Sequence, residues 1–201
     1  MEIEQVIEFW FGSDLNDPGL AKRQSSLWWQ KNPQTDALIR QKFADGLQGL
    51  TRGDYDHWLE SPKGRLAAII VADQFSRNMY RDTARAFAQD ELVLSWCLDG
   101  MALKQDIELP FICRVFFYMP LEHAESREMQ ELSMKKFTEL AELANQESVE
   151  NSDTFIGFVD FAERHRQVIQ QFGRYPHRNS ILKRDNTAAE QVYLDQPGSG
   201  F

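Results

Sequence analysis

The chain has 201 residues, 42% of them hydrophobic and 12% aromatic, which is enough apolar material for one ordinary domain with its own core. Its formal net charge is −9, whereas a protein that binds nucleic acid needs a basic face to neutralise phosphates. A negative surface also disfavours adhesion to anionic membranes, and no apolar segment has the length of a membrane span. We therefore expect a single domain, residues 1–201, with neither nucleic acid nor a membrane as partner.

The first residues and the two cysteines indicate a cytoplasmic protein. Residues 1–4 carry no positive charge and lead into no long apolar run, so they do not resemble a secretory signal. Cys97 and Cys113 lie in apolar runs, and their spacing matches neither a CxxC pair nor a zinc site. We expect two buried free thiols in a reducing compartment, and the sequence assigns neither a cofactor nor a metal ion.

Apolar residues recur at steps of three and four in the first half of the chain, which is the pattern of amphipathic helices. A first helix contains the segment from Ile3 to Trp10. Proline-containing start signals predict that further helices begin at Asp17-Pro18, at Pro33 and at Ser61-Pro62. Glycines after the periodic stretches predict helix ends at Gly12, Gly53, Gly100 and Gly173.

The second half of the chain continues the helical pattern. Thr83 is predicted to open a helix, and Pro120 to begin a long one that reaches about Asn145. The polar stretch 146–153 then joins two helices, and the later of these covers about 154–172. Thr187 and Glu190 have capping-box spacing, which predicts a last helix. No segment alternates like a strand, so the expected fold class is all-α.

The first of three polar segments is 73–78, at the end of a buried helix. Asp73 and Arg77 are four residues apart, so they share a helix face and are placed to form an ion pair. The alternative is that Arg77 and Asn78 project into a pocket, with Asp73 orienting the guanidinium. Both hypotheses stay open from the sequence.

The second segment contains Glu122 and His123, which the predicted helix start at Pro120 places in the first turn of the long helix. A neutral histidine beside a carboxylate suits a general base or a metal ligand. Both residues are equally compatible with an ordinary helix start.

The third segment follows His165, which lies in an apolar helix stripe and is either a hydrogen-bonded core residue or a ligand contact. After the predicted helix end come four polar residues in close succession: Arg174, His177, Arg178 and Asn179. Guanidinium groups offer forked donors that suit a carboxylate or a phosphate. The alternative is that these arginines bind helix C-termini or acidic neighbours inside the fold.

These three segments together, in this order, resemble a mainly bacterial family known as domain of unknown function 924. The likeness extends over nearly the whole chain, and includes Phe9-Trp10-Phe11, Trp28-Trp29, Phe87 with Asp90, His165, and Thr187 to Leu194. The resemblance implies an all-helical, tetratricopeptide-like fold in which antiparallel helix pairs stack into a compact, curved bundle. It implies no activity, and the 34-residue tetratricopeptide consensus does not fit this chain.

Three functional hypotheses follow. The first is a binding module for an anionic small molecule or a peptide carboxylate, with ligand contacts from Arg77, Asn78, Arg174, His177, Arg178 and Asn179. The second is a hydrolase, with or without a metal ion, whose acid–base candidates are Asp73, Glu122, His123, His165 and His177. The third is a buried polar network that only holds the helices together.

Geometry separates these hypotheses, because the first two require a concave opening and the third requires residues that are buried and mutually paired. Two outcomes are open for the tail 197–201: it frays, or Phe201 anchors in an apolar notch. Oligomeric state is left open by the sequence.

Overall fold

The computed structural model of the protein describes residues 1–200, in which all regular structure is helical. The main helices are α1 (Ile3–Phe11), α2 (Leu20–Trp29), α3 (Pro33–Arg52), α4 (Pro62–Ile69), α5 (Ser76–Met79), α6 (Asp90–Ala102), α7 (Phe111–His123), α8 (Arg127–Gln146), α9 (Asp153–Phe172) and α10 (Ala188–Leu194). A π-helical turn, Ile70–Phe75, joins α4 to α5. The predicted all-α class is confirmed. The finer assignment to the tetratricopeptide-like superfamily stays a prediction, and Phe201 lies outside the described residues.

Several helix boundaries follow directly from local capping. The Asn32 side chain accepts a hydrogen bond from the Gln34 amide at 2.9 Å, immediately before Pro33 opens α3. The Thr187 hydroxyl and the Glu190 carboxylate form the predicted capping box of α10. These polar side chains satisfy amide groups that have no partner inside the helix, so the predicted starts of α3 and α10 are confirmed.

Two predicted helix starts are wrong by several residues. The Asp17 carboxylate accepts a hydrogen bond from the Gly19 amide at 2.7 Å and forms a turn, so α2 begins only at Leu20. After Thr83 the chain makes a short 3₁₀ turn, Ala84–Phe87, and α6 begins at Asp90. In both places a local turn separates the capping residue from the regular helix. The end of α6 is also two residues past Gly100, at Ala102.

The largest correction concerns Pro120, which lies inside α7 and does not begin the long helix. A proline in a helix interior costs about 3 kcal/mol. Full burial contributes about 1.5–3 kcal/mol for each large apolar side chain, and Phe116, Phe117 and Leu121 are all completely buried. Core packing therefore outweighs the lost hydrogen bond. Glu122 and His123 consequently end α7, and the long helix α8 begins after Ser126.

The helices α8 and α9 form an antiparallel pair that carries one side of the molecule. Arg127, at the start of α8, donates a hydrogen bond to the carbonyl of Gln170 near the end of α9 at 3.1 Å. The predicted linker 146–153 lies between the two helices, as expected. Of the helices within residues 1–200, none is long and apolar enough to cross a membrane.

The core is rich in aromatic rings that join the N-terminal helix to α7. Trp10 on α1 packs edge-to-face on Phe75 and Phe116, with ring centroids 5.4 and 5.6 Å apart. Both cysteines, Cys97 and Cys113, are fully buried and free, which confirms the expected thiols. Because Phe75 closes the π-helical turn, this packing fixes the backbone that carries Asp73 and Gln74.

Candidate functional site

A cleft of about 940 Å³ lies between α2, α5, α9 and the turn that follows α9. Its walls include seven residues from the three polar segments and from the helix that leads into the third: Gln74, Arg77, Asn78, His123, His165, His177 and Arg178. The structure therefore brings together segments that are up to a hundred residues apart in sequence.

Two carboxylates from these segments lie behind the cleft wall. Asp73 and Glu122 are 1% and 2% exposed, and neither lines the cleft. They reach it only through the side chains that they contact, which are Gln74, Arg77 and His123 for Asp73 and His165 for Glu122. Both remain candidates for acid–base work, but only by acting through another residue.

Two residues expected to bind a ligand lie elsewhere. Arg174 forms a two-point ion pair with Glu190 of α10, at 2.6 and 2.8 Å. Asn179 is fully buried between Asn186, at 2.8 Å, and Arg184, at 2.9 Å. These contacts all lie within residues 174–190 and hold that segment together, and neither Arg174 nor Asn179 lines the cleft.

Asp73 is the centre of the polar network behind the cleft. Its Oδ1 lies 2.8 Å from His123 Nδ1 and 3.3 Å from an Arg77 nitrogen, and its Oδ2 accepts from Gln74 Nε2 at 2.6 Å. Burial alone would raise the pKa of this carboxyl, but the charge of Arg77 and the contact with His123 lower it well below the usual range. Asp73 is therefore ionised.

The ionised Asp73 fixes the tautomer of His123. A carboxylate can only accept, so Nδ1 of His123 carries the proton and donates it to Asp73. Burial and the nearby positive charge of Arg77 lower the pKa of His123, against the opposing effect of Asp73. At neutral pH the ring is therefore uncharged, with a lone pair on Nε2. The ring is 15% exposed and lines the cleft, whereas Asp73 lies behind it, so Nε2 is on the cleft side.

Arg77 is almost saturated by the protein. One terminal nitrogen donates to the carbonyl of Ala86 at 2.9 Å and to Asp90 at 3.0 Å, and the other donates to Asp90 at 3.2 Å and faces Asp73 at 3.3 Å. Four of the five N–H groups that a guanidinium offers are thereby used. Arg77 thus serves mainly as framework.

Asn78 also lines the cleft, but its amide is engaged away from the centre. Its Nδ2 donates to Asp36 at 2.8 Å, and Asp36 binds Arg81 through both carboxylate oxygens. Asn78 therefore joins the cleft wall to α3.

Arg178 differs from Arg77 in how little of its hydrogen-bonding capacity is used. It is 6% exposed, and among residues 1–200 it donates only to Asp90, at 3.2 Å, and its buried Nε–H finds no partner. Its guanidinium lies 4.6 Å from the ring centroids of both Phe87 and Tyr175. Burial, followed by the charge of Arg77, lowers the pKa of Arg178. The group is thus positioned by aromatic rings and lacks a full set of acceptors.

Glu122 and His165 form a second carboxyl–histidine pair, with Oε1 and Nδ1 3.2 Å apart. The distance fits an ion pair. The pKa shifts of both groups, however, favour an uncharged carboxyl group beside an uncharged imidazole. Burial, together with the charge of Asp73, raises the pKa of Glu122 to about 8, and burial lowers that of His165 to about 3. The Nδ1–H of His165 donates to the Phe161 carbonyl at 2.9 Å, so we regard the approach of Glu122 Oε1 as a polar contact between uncharged groups.

The opposite side of the cleft is aromatic, with a basic rim. Trp29, which is 46% exposed, faces Phe158 with ring centroids 6.1 Å apart, and Phe161 continues this wall. Lys22 and Lys31 lie at the edge. We call the rings of Trp29, Phe158 and Phe161 the aromatic wall.

Sequence reasoning did not assign Asp90, the residue that binds both arginines. It stands 13 residues from Arg77 and 88 from Arg178, so no short-range spacing reveals it. Its place beside Phe87 in the family-like pattern is the one signal that could have drawn attention to it. Within residues 1–200, no group of three or more histidine, cysteine, aspartate or glutamate side chains is arranged to hold a metal ion.

Comparisons with known proteins agree on the family. The family model described as "Bacterial protein of unknown function (DUF924)" matches residues 6–198. A solved structure of the protein of unknown function ATU0120 from Agrobacterium tumefaciens is similar over 96% of both chains, with 29% sequence identity and a TM-score of 0.77. No curated protein matches the chain. The match to the family model over nearly the whole length shows that this protein belongs to the DUF924 family of bacterial proteins.

Proposed function

We propose that the cleft binds an organic anion and that Arg178 is the residue that holds its carboxylate or phosphate group. The observation that supports this proposal is the buried Nε–H of Arg178, which has no partner among the described residues although the side chain is only 6% exposed. A buried donor without an acceptor costs about 1–3 kcal/mol. A carboxylate or phosphate beside Arg178 would supply the missing acceptors and would match the fork of the guanidinium.

The dimensions and chemistry of the cleft favour a ligand with an apolar part. Its volume, about 940 Å³, falls in the range of small-molecule sites, which is roughly 300–1,000 Å³. The aromatic wall provides flat apolar surface opposite the polar side, and Lys22 at the rim adds positive charge in a protein whose net charge is −9. An aryl or alkyl carboxylate, or the carboxylate end of a peptide, combines these features.

A purely structural network explains part of the cluster but not Arg178. Asp73, Arg77 and Asp90 are mutually paired, as that hypothesis requires. Arg178 reaches this group through one hydrogen bond. We therefore assign a structural role to the paired residues and the role of ligand contact to Arg178.

Because free thiols persist in reducing compartments, Cys97 and Cys113 support the further proposal that the protein works in the cytoplasm.

Isothermal titration calorimetry with phenylacetate and phenyl phosphate tests the anion site, with uncharged 2-phenylethanol for comparison. We expect both anions to bind and 2-phenylethanol to bind at least tenfold more weakly. Arg178→Met should weaken anion binding at least tenfold, because it removes the charge and the free donors but keeps most of the apolar stem.

Arg114→Met is the matched control. Arg114 also stacks on a phenylalanine, with its guanidinium 4.7 Å from the Phe111 ring centroid, and it lies outside the cleft. This control variant should bind phenylacetate like the wild type. Equal affinity of Arg178→Met and the wild type, or no binding of either anion, would contradict the proposal.

A further inference from the structure

We infer that His123 is a general base that activates water in the same cleft, and that the protein hydrolyses esters of substrates that also carry an anionic group. This inference rests on the proposed function, because Arg178 is the anchor for that anionic group. The feature behind it is the pair formed by His123 and Asp73, which faces the cleft with the histidine in front and the carboxylate behind.

The geometry of this pair is that of a base held ready for proton transfer. Asp73 Oδ1 and His123 Nδ1 are 2.8 Å apart, so the carboxylate orients the ring and stabilises the imidazolium that forms when Nε2 takes a proton. Asp73 is itself fixed by Gln74 at 2.6 Å and by Arg77 at 3.3 Å. Since Asp73 is 1% exposed and makes no contact with the cleft, it is a positioning residue.

Water, and not a side chain, is the nucleophile in this scheme. Among the described residues that line the cleft, two carry an aliphatic hydroxyl, Ser25 on α2 and Thr154 on α9, and the Ser25 hydroxyl donates to the carbonyl of Lys22 at 2.9 Å. Neither Cys97 nor Cys113 reaches the cleft. Within residues 1–200, no hydroxyl or thiol is hydrogen-bonded to the His123 ring, whose one hydrogen bond goes to Asp73. A nucleophile activated by His123 must therefore enter with the solvent.

The step balances without any further reactant. Nε2 of His123 takes a proton from water while the water oxygen bonds to the ester carbonyl carbon, and the carbonyl π electrons move to its oxygen. When the tetrahedral intermediate collapses, the bond from carbon to the alkoxy oxygen breaks, and His123 returns the proton to that oxygen. The products are a carboxylic acid and an alcohol or phenol.

Arg77 and Arg178 have separate tasks in this reaction. Arg77 lies beside Asp73 and keeps positive charge next to His123, which disfavours a protonated resting histidine and favours the oxyanion of the intermediate. Arg178 has the unused donors that hold the distal carboxylate. An ester that bears a carboxylate should therefore react better than the same ester without one.

The test compares 4-acetoxyphenylacetate, an aryl ester with a distal carboxylate, with phenyl acetate, which lacks the carboxylate. We expect the full-length protein to hydrolyse the anionic ester with a kcat/KM at least tenfold higher. His123→Gln should lower kcat about 100-fold or more and leave KM within about twofold, because general base catalysis is typically worth 10²–10⁴-fold. Arg178→Met should instead raise KM, and more for the anionic ester than for phenyl acetate.

His57→Gln is the matched control, because His57 is exposed and lies outside the cleft. It should hydrolyse both esters like the wild type.

A wild-type pH profile adds a measurement that does not depend on folding of a variant. Asp73, Arg77 and Asp90 are the charged groups around His123, and its pKa in the free protein is lowered from 6.5, so the acid limb of kcat/KM for phenyl acetate should lie below pH 6.5.

The possible results of these experiments distinguish general base catalysis by His123 from anion binding by Arg178. Phenylacetate binding without hydrolysis of either ester would overturn the general base and leave the proposed function standing. Hydrolysis that depends on His123 but shows no preference for the anionic ester would support the base and contradict the role of Arg178. Full kcat in His123→Gln, or no acid limb below pH 6.5, would overturn the inference.

Discussion

The consecutive residues Glu122 and His123 each belong to a carboxyl–histidine pair, and the two pairs titrate in opposite ways. Asp73 stays ionised because Arg77 and His123 surround it, and it holds His123 in one tautomer. For Glu122, burial and the charge of Asp73 outweigh the opposing charge of Arg164, so its pKa is raised to about 8. Two carboxyl groups whose environments push their pKa values apart are typical of sites that perform acid–base chemistry.

Replacement of Glu122 tests this difference through stability. The folded protein binds the Glu122 proton more tightly than the unfolded chain does, since the pKa is raised from 4.5 to about 8. This contribution to stability is complete below about pH 4.5 and is lost as the pH rises through 8. Between pH 5 and 9, urea denaturation should show a steeper loss of unfolding free energy for the wild type than for Glu122→Gln.

Glu128→Gln, on the exposed side of α8, is the control for Glu122→Gln and should follow the wild type. Parallel curves for the wild type and Glu122→Gln would mean that Glu122 is already ionised in the fold. In that case its contact with His165 would have to be treated as an ion pair.

The sequence predicts the polar residues of the cleft better than their partners. Arg77, His123 and Arg178 are recognisable because a helix end or a turn does not need them for its backbone geometry. Asp90 is not recognisable, because it binds Arg178 across 88 residues and such a contact exists only once the helices have packed. The same holds for Arg174, whose guanidinium suits a ligand but is used by Glu190.

At the scale of single helices, the local sequence predicts a helix boundary correctly where a capping residue determines it. The prediction fails where packing in the core determines the boundary. Pro33 and Thr187 begin helices and Gly173 ends one, as predicted, because each satisfies or permits local backbone geometry. Pro120 is the counterexample, since it usually begins a helix but here lies within one. The π-helical turn that carries Asp73 has no local sequence signal, because packing of Phe75 against the aromatic core determines it.

Two glycines of α9 provide a test of its predicted end. Gly173 has φ +73°, a conformation that L-residues disfavour, whereas Gly157 lies in mid-helix, and neither has a neighbouring atom within 4 Å of an added Cβ. Gly173→Ala should destabilise the protein by about 1 kcal/mol. Gly157→Ala should stabilise it by about 0.5–1 kcal/mol, because alanine is the better helix former.

Urea denaturation of both variants gives the measurement, and each serves as the control for the other. Equal effects of the two substitutions would contradict the assigned helix end. Since Gly157 lines the cleft, its variant is suited to stability measurements and not to ligand binding.

On the scale of the whole molecule, we propose that residues 1–201 fold as one domain. The main core contains residues from α1 through α9, from Val6 to Ala162. A small second cluster, Val168, Ile169 and Tyr175, is tied to it by polar contacts. In particular, the Tyr175 hydroxyl donates to the carbonyl of Glu122 at 2.5 Å. The C-terminal segment is therefore attached to the bundle and not to a core of its own.

Differential scanning calorimetry tests the single domain. We expect one transition whose calorimetric enthalpy equals its van't Hoff enthalpy, because α1 through α9 share one core and α10 packs on the small cluster tied to it. Two resolved transitions, or a calorimetric enthalpy well above the van't Hoff value, would show that the C-terminal segment unfolds independently.

The burial of both cysteines has a practical consequence for labelling the cleft with a fluorescent dye. Cys97 and Cys113 are completely buried, and burial raises the pKa of both thiols, so little reactive thiolate is available. A cysteine introduced at the exposed rim position Lys22 would therefore react with a maleimide dye far faster than either native thiol. A fluorophore can thus be attached at the mouth of the cleft without first removing the native cysteines.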